Sequence, residues 1–338
     1  MTTPTRRAAV VGVEGPALLP REAALLTSHP PAGIILFGRN VQSRTQLSQL
    51  VVSLRQILPS ETIFMVDQEG GRVARLRPPE WPEHPAAGVI GSLFATEPSR
   101  SIRLAWLCGA LIGHDCVEAG IDVVAAPVLD RFVPGADAVI GDRAFHSDPV
   151  TTARLARSFA SGLMAAGATP IGKHAPGHGR ALVDSHMAMP RLADLQADDL
   201  QPFVLNAGLP WLMTAHIAFT SIDPASPATL SETVIREVIR GSIGFKGVLV
   251  TDDLSMKAMA EQPKDSARRA LAAGCDLALY GAGDFEATEA LLHECPPLTE
   301  AALARLRAAQ AAVSGQRIRI DRNDLMSERQ AILDSIQT

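Results

Sequence analysis

Thr169-Pro170-Ile171-Gly172-Lys173-His174-Ala175-Pro176-Gly177-His178-Gly179-Arg180-Ala181-Leu182-Val183-Asp184-Ser185-His186 is the stretch on which the reading of the whole chain turns. Its first residues, 169–172, end a buried strand. Pro176, Gly177 and Gly179 then disfavour both helix and further strand, since proline lacks an amide donor and glycine loses most backbone freedom on ordering. The chain must leave the sheet as a loop. Lys173 and His174 fall at the strand's last positions, where donors reach a ligand lying over the end of a sheet. Asp184 and His186 are two apart, a spacing that lets a carboxylate accept from one ring nitrogen while the other nitrogen faces a substrate, as in a general acid/base. An isolated Asp-x-His is more often a turn cap beside a solvated histidine.

Working outward, short β-rich runs alternate with segments of helical period. Strands are predicted at 8–13, 32–37, 62–66, within 122–130 (the fourth strand with its loop, which runs on through Arg143), 169–174, 211–216, 247–253 and 275–281, with helical patterns such as 47–57, 101–119 and 151–166 between them. Eight βα units predict an α/β fold, the (β/α)8 TIM barrel. An open doubly wound sheet can also carry many such units. The polar residues favour the closed form: Asp67, Asp130, Lys173, His174, His216 and Asp252 all fall at or just after carboxyl ends of strands, which in a barrel converge on one mouth. The 338 residues fit one such barrel, so 1–338 is read as a single domain. A proline-rich loop occupies 77–85, and 300–314 reads as a last amphipathic helix capped by Thr299. Nothing is read beyond it.

Hydrophobic content of 47% and a formal charge of −5 describe a globular protein without the basic stripe that nucleic acid requires. No stretch approaches the roughly 20 apolar residues needed to span a bilayer, and the apolar run at 8–13 stops at Glu14, short of a signal segment. Cys108, Cys116, Cys275 and Cys295 show neither Cys-x-x-Cys spacing nor a paired framework. The expectation is a cytoplasmic protein with small neutral partners, no nucleic acid and no membrane. Oligomeric state has no signature here, and a monomer is the default.

Thr251-Asp252-Asp253 closes an almost wholly apolar strand, and strand alternation lets one of the two carboxylates face the mouth; the bland alternative makes both acids helix caps. Asp67 and Glu69, with Gly70-Gly71, Arg72 and Arg75, form a tight turn that brings charges to a ligand or merely pairs them at the surface. Arg143 and His216 are each read both ways, as site groups or as ordinary rim residues. His174 and His178 have i, i+4 spacing, but a zinc site of that spacing needs a helix, against which Pro176 and Gly177 argue.

Four motifs then act together. Val66-Asp67-Gln68-Glu69-Gly70-Gly71-Arg72-Val73, Lys173-His174-Ala175-Pro176-Gly177-His178-Gly179, Asp184-Ser185-His186 and Thr251-Asp252-Asp253-Leu254-Ser255-Met256 closely resemble family 3 glycoside hydrolases of the β-N-acetylglucosaminidase (β-hexosaminidase) branch, in the family's order. The Lys-His motif is shared with β-glucosidases of the wider family; the Asp-Ser-His loop marks the branch. The resemblance implies a retaining exo-β-N-acetylglucosaminidase acting on muropeptides, GlcNAc linked to anhydro-N-acetylmuramic acid, in bacterial cell-wall recycling. It implies Asp252 as nucleophile, His186 as acid/base and Asp184 as the group that orients it. Asp67, Arg75, Arg143, Lys173 and His174 match the sugar-holding positions, and no metal or organic cofactor is implied. Ala175 departs from the family's usual aromatic, and Arg180 stands in a variable position, which leaves the loop's packing and the leaving-group side open. The rivals are a related β-glycosidase or a phosphorylase in which phosphate resolves the intermediate, a sugar-binding or sensor protein without chemistry, and a metal-dependent amidohydrolase.

Overall fold

Runs of apolar, largely β-branched residues form the centre of the molecule, because only a sheet covered on both faces can bury such runs whole. The computed structural model describes residues 5–336 apart from 186, 260 and 320. Strands β1 (Arg7–Gly12), β2 (Pro31–Leu36), β3 (Ile63–Val66), β4 (Val123–Val124), β5 (Thr169–Ala175), β6 (Trp211–Thr214), β7 (Val248–Val250) and β8 (Ala278–Tyr280) pair in parallel in the order β8-β1-β2-β3-β4-β5-β6-β7. The ring closes between β7 and β8 through a parallel bridge, Val250 to Leu277. There the Thr251 amide donates to the Leu277 carbonyl at 3.1 Å and the Asp276 amide to that of Leu249 at 2.8 Å. All six residues of β2 and all seven of β5 are buried.

A helix follows every strand: α1 (Pro20–Ser28), α2 (Arg44–Ile57), α3 (Pro98–Glu118), α4 (Pro149–Ala166), α5 (Ala197–Leu205), α6 (Val234–Ser242, wound with wide turns), α7 (Pro263–Ala273) and α8 (Phe285–Glu294). This is the (β/α)8 barrel. Local chemistry sets the helix ends. Ser43 accepts from the Gln46 amide to start α2, Asp148 from that of Thr151 with Pro149 behind it to start α4, and Gly167 ends α4 at φ 96°. Helix α9 (Glu300–Ser314), capped by Thr299 as predicted, lays Leu303, Leu306 and Val313 across the amino ends of β3 to β6. The carboxyl ends are left for the site.

The structure trims several predicted strands. Of the 122–130 stretch read as the fourth strand with its loop, β4 takes two residues, and Pro127 has no N–H to give the ladder; Val128 rejoins it as a bridge to Lys173. Two elements had no sequence reading. Arg191–Leu192 pairs with Ala218–Phe219 in a small second sheet, and α10 (Arg322–Asp334) docks on α3 through only a few buried side chains, chiefly Arg329 and Ile332.

Helices α3 and α4 meet almost backbone to backbone. A Cβ on Gly109 would run into the Phe159 carbonyl, and one on Gly162 into that of Trp106. Neither obstacle is a flexible side-chain end, so the helices would have to move apart. Gly162→Val is therefore expected to destabilise the fold by about 1–3 kcal/mol or more, read as a lowered Tm in calorimetry, whereas Ser158→Ala one turn away, losing one hydrogen bond to the Ile102 carbonyl, should cost about 1 kcal/mol.

Candidate active site

Three βα loops and the end of β7 enclose a cavity of about 240 Å³, lined among others by Asp67, Arg75, Arg143, Lys173, His174, Asp184 and Asp252. Every sequence-predicted site residue among those described thus meets in one place. His186 lies outside the described residues. The cavity is also lined by Glu69, Arg72, His178 and Ser185, so four carboxylates face four cations.

Lys173 ends β5 pointing into this space, and its ammonium is almost fully buried, 2.9 Å from Asp67 and 2.6 Å from Glu69. Each acid has a second cation: Arg75 lies 3.1 Å from Asp67, and Arg143 grips both oxygens of Glu69 at 2.8 Å. Burial pushes both carboxyls up, but Lys173 and Arg75 hold Asp67 well below the usual range, and Arg143 and Lys173 hold Glu69 at about 2. The turn is therefore no loose surface network. Gln68 fixes it from behind, its side-chain oxygen accepting from the Arg75 and Leu76 amides and its nitrogen donating to the Leu76 carbonyl. Gly70 sits at φ 98°, against the Pro85 carbonyl, where no other residue fits. Arg75 Nε is buried without a partner among the described residues.

Asp130 is the organiser of the β5 loop. One oxygen accepts from His174 Nδ1 at 2.7 Å and from the His174 amide, and the other accepts from the His178 amide at 2.6 Å. His174 Nε2 is thereby turned toward Arg143, 3.5 Å away. Sequence position at a strand end marked Asp130, but nothing in the sequence distinguished a bracing acid from a ligand-facing one. His216 proves to be a satisfied rim histidine, with Nδ1 2.7 Å from the Thr229 hydroxyl and Nε2 donating to the Asp253 carbonyl at 3.0 Å.

Of the acid pair, only Asp252 lines the cavity. Asp253 turns away and accepts from the Gly281 and Ser255 amides at 2.9 Å. No helix follows directly, since α7 starts at Pro263, so neither acid is a helix cap. Burial raises both carboxyls. For Asp252, His174, His216, the Asp253 amide and Lys173 outweigh it and hold the group below the ordinary aspartate value; Asp253, beside Asp252, stays raised. Among the described residues Asp252 makes no ion pair, and its carboxylate accepts from the Asp253 amide at 2.8 Å. It is an ionised carboxylate not neutralised by a cation.

The loop after β5 folds back over this site. Ser185 is buried, its hydroxyl 3.1 Å from His178 Nε2 and its carbonyl accepting from the Ala258 amide at 3.1 Å. Asp184 lines the cavity beside it. The imidazoles of His174 and His178 meet edge to face, centroids 5.8 Å apart, each with one nitrogen already bonded. Among the described residues, the cluster that could hold a metal is instead His114, Asp115 and Glu118 on α3.

A closed (β/α)8 barrel whose mouth sets, among the described residues, an unpaired carboxylate within a ring of paired charges is an arrangement that suits a barrel enzyme acting on a polar ligand, and the comparisons make it a glycosidase. The description Glycosyl hydrolase family 3 N terminal domain matches residues 11–314. The chain is 40% identical over 309 residues to a Beta-hexosaminidase of Alkalilimnicola ehrlichii, covering 88% of this chain and 87% of that one. It is 39% identical to a Beta-hexosaminidase of Nitrosospira multiformis, with 87% and 88% covered. Among solved structures, NagZ from Neisseria gonorrhoeae in complex with N-trifluoroacetyl-D-glucosamine superposes with a TM-score of 0.85 at 30% identity, covering 99% of both chains. The chain belongs to glycoside hydrolase family 3. Within that family it is a β-N-acetylhexosaminidase.

Burial, then His174, lowers the His178 pKa to about 4, against partial compensation from Asp130 and Asp252. Between that value and 6.5 the unfolded chain binds a proton that the folded one does not, so stability is lost as pH falls through this window. His84 and His216, lowered mainly by burial, act in the same sense. Tm should therefore drop between pH 6.5 and 4, and His178→Gln should make that slope shallower; an unchanged slope would remove His178 as a contributor.

Proposed function

We propose that the enzyme is a retaining exo-β-N-acetylglucosaminidase in which Asp252 attacks the anomeric carbon. His186, oriented by Asp184, gives its proton to the leaving oxygen. In the second step His186 takes a proton from water, the water oxygen bonds to the anomeric carbon, and the Asp252 carboxylate leaves. Asp67, Arg75, Arg143, Lys173 and His174 hold the hydroxyls of one terminal sugar. The observation that carries this reading is the contrast among the cavity's acids: Asp67 and Glu69 are locked in ion pairs while Asp252 is ionised and unpaired. A retaining glycosidase commonly uses two carboxyl groups. A histidine, with an unperturbed pKa near 6.5, serves as the second without the strong upward shift a carboxylic acid needs.

The balanced lining supports a neutral polyhydroxylated ligand, since each hydroxyl both donates and accepts. The volume, below the roughly 300–1,000 Å³ of drug-sized sites, supports a single ring with the leaving group outside. The N-acylglucosamine held by the gonococcal NagZ supports an N-acetyl sugar in that place. The substrate we propose is the muropeptide GlcNAc-anhydro-N-acetylmuramic acid, cleaved during peptidoglycan recycling in the bacterial cytoplasm, with residues 1–338 working as one domain. No helix among the described residues is long and apolar enough to cross a membrane.

Release of nitrophenol from the β-N-acetylglucosaminide and the β-glucoside tests this, wild type beside Asp252→Ala. Turnover of the N-acetyl sugar alone, abolished in the variant, is the expected result; full activity of a repurified Asp252→Asn would overturn the nucleophile assignment. With His186→Ala, kcat/KM should fall by about 10²-fold or more for poor leaving groups and little for good ones. Sugar 1-phosphate formed on adding phosphate would reassign the second step.

A further inference from the structure

The loop after β5 that bears Asp184 and His186 passes Arg180 and returns near Asp194, and the sequence left its packing open on account of Ala175 and Arg180. The structure places Arg180 across both ends. Its Nε donates to Asp199 on α5 at 2.6 Å, and its terminal nitrogen donates to the Asp194 carbonyl at 2.6 Å and side chain at 3.1 Å. The other oxygen of Asp199 accepts from Arg131 at 3.2 Å. The Asp199 side chain is 4% exposed, and those of Arg180 and Arg131 are 17% and 15%, so water competes weakly for these bonds. A further tie, from the Asp137 amide to the Ala181 carbonyl at 2.8 Å, pins the same base. The tip differs: Leu182, Val183 and Met187 are 72%, 42% and 64% exposed.

We infer that Arg180 is the positioning residue of the acid/base loop, stapling its two ends to Asp199, and through it to Arg131, and so setting where the loop carries Asp184 over the cavity. Arg131 directly follows Asp130, which braces His174 and His178. One dipeptide in the loop after β4 thus fixes the sugar-holding histidine with a carboxylate and, through Asp199, the base of the acid/base loop with a guanidinium. The inference rests on the acid/base reading proposed above.

Arg180→Met is a tolerable probe, because Asp199 keeps Arg131 and is not left as an uncompensated buried charge. Two substrates separate proton donation from everything else: the 2,4-dinitrophenyl β-N-acetylglucosaminide, whose leaving group needs no proton, and N,N′-diacetylchitobiose, whose leaving group does. Arg180→Met should lose roughly 10- to 100-fold in kcat/KM on the disaccharide and less than about twofold on the aryl glycoside, since a displaced acid is a lost acid. Arg180→Lys, keeping the contact to Asp199, should recover part of the loss. Asp184→Asn is the control. If it shows the selective loss and Arg180→Met does not, the staple is wrong; if Asp184→Asn shows no selectivity either, the acid/base reading fails and takes the inference with it. Equal losses on both substrates also overturn it. Should Arg180→Met not fold, Arg180→Gln, which loses the ion pair to Asp199 but keeps a polar side chain at the loop base, must show the same selectivity.

Discussion

A single buried ammonium sets the architecture of the mouth. Lys173 ends an apolar strand with its side chain 2% exposed, and an unpaired charge there would cost several kcal/mol. Two carboxylates from the β3 loop meet it, and because two acids outnumber one cation, Arg75 and Arg143 join them, so that Asp67 and Glu69 face three cations. Arg143 comes from the β4 loop. The charge requirement of one residue thus ties together the loops of three successive strands. Removing either acid would leave its buried cations with one carboxylate among three, at a cost of about 3–5 kcal/mol in comparable buried pairs.

The same logic, run in reverse, explains how two adjacent aspartates come to differ. Asp252 and Asp253 share a strand end, a residue type and a buried setting. Asp253 spends its oxygen on two backbone amides and closes the turn; Asp252 keeps its charge, facing His174 and Lys173 at a distance without being bound by them. Loop structure and chemistry are divided between neighbours. The proposed nucleophile needs that separation, since a carboxylate engaged in structural bonds would have to break them to attack.

What was legible in the sequence was whatever depends on the backbone. Pro176, Gly177 and Gly179 announced the end of β5, apolar runs announced the other strands, and polar residues at their ends announced the mouth. Orientation was less legible. Asp130, Gln68 and Asp199 are polar residues near strand or helix ends like many others, and only packing shows that they face inward to brace the site. The shortened β4 was readable in Pro127, whose missing donor interrupts the ladder. Helix α10 was not, because it buries few side chains and is held largely by polar contacts, with Arg322 on Asp115 and Arg329 on His84, which leave no hydrophobic period to find.

The equal count of acids and cations around the cavity has a consequence for encounter. Among the described residues the lining then adds little net charge of its own, so it neither draws in nor turns away a ligand from afar, and recognition begins at contact, hydroxyl by hydroxyl. A charged appendage on the outer side of the scissile bond would instead meet the field of the chain as a whole, whose formal charge is −5, and that influence fades with ionic strength.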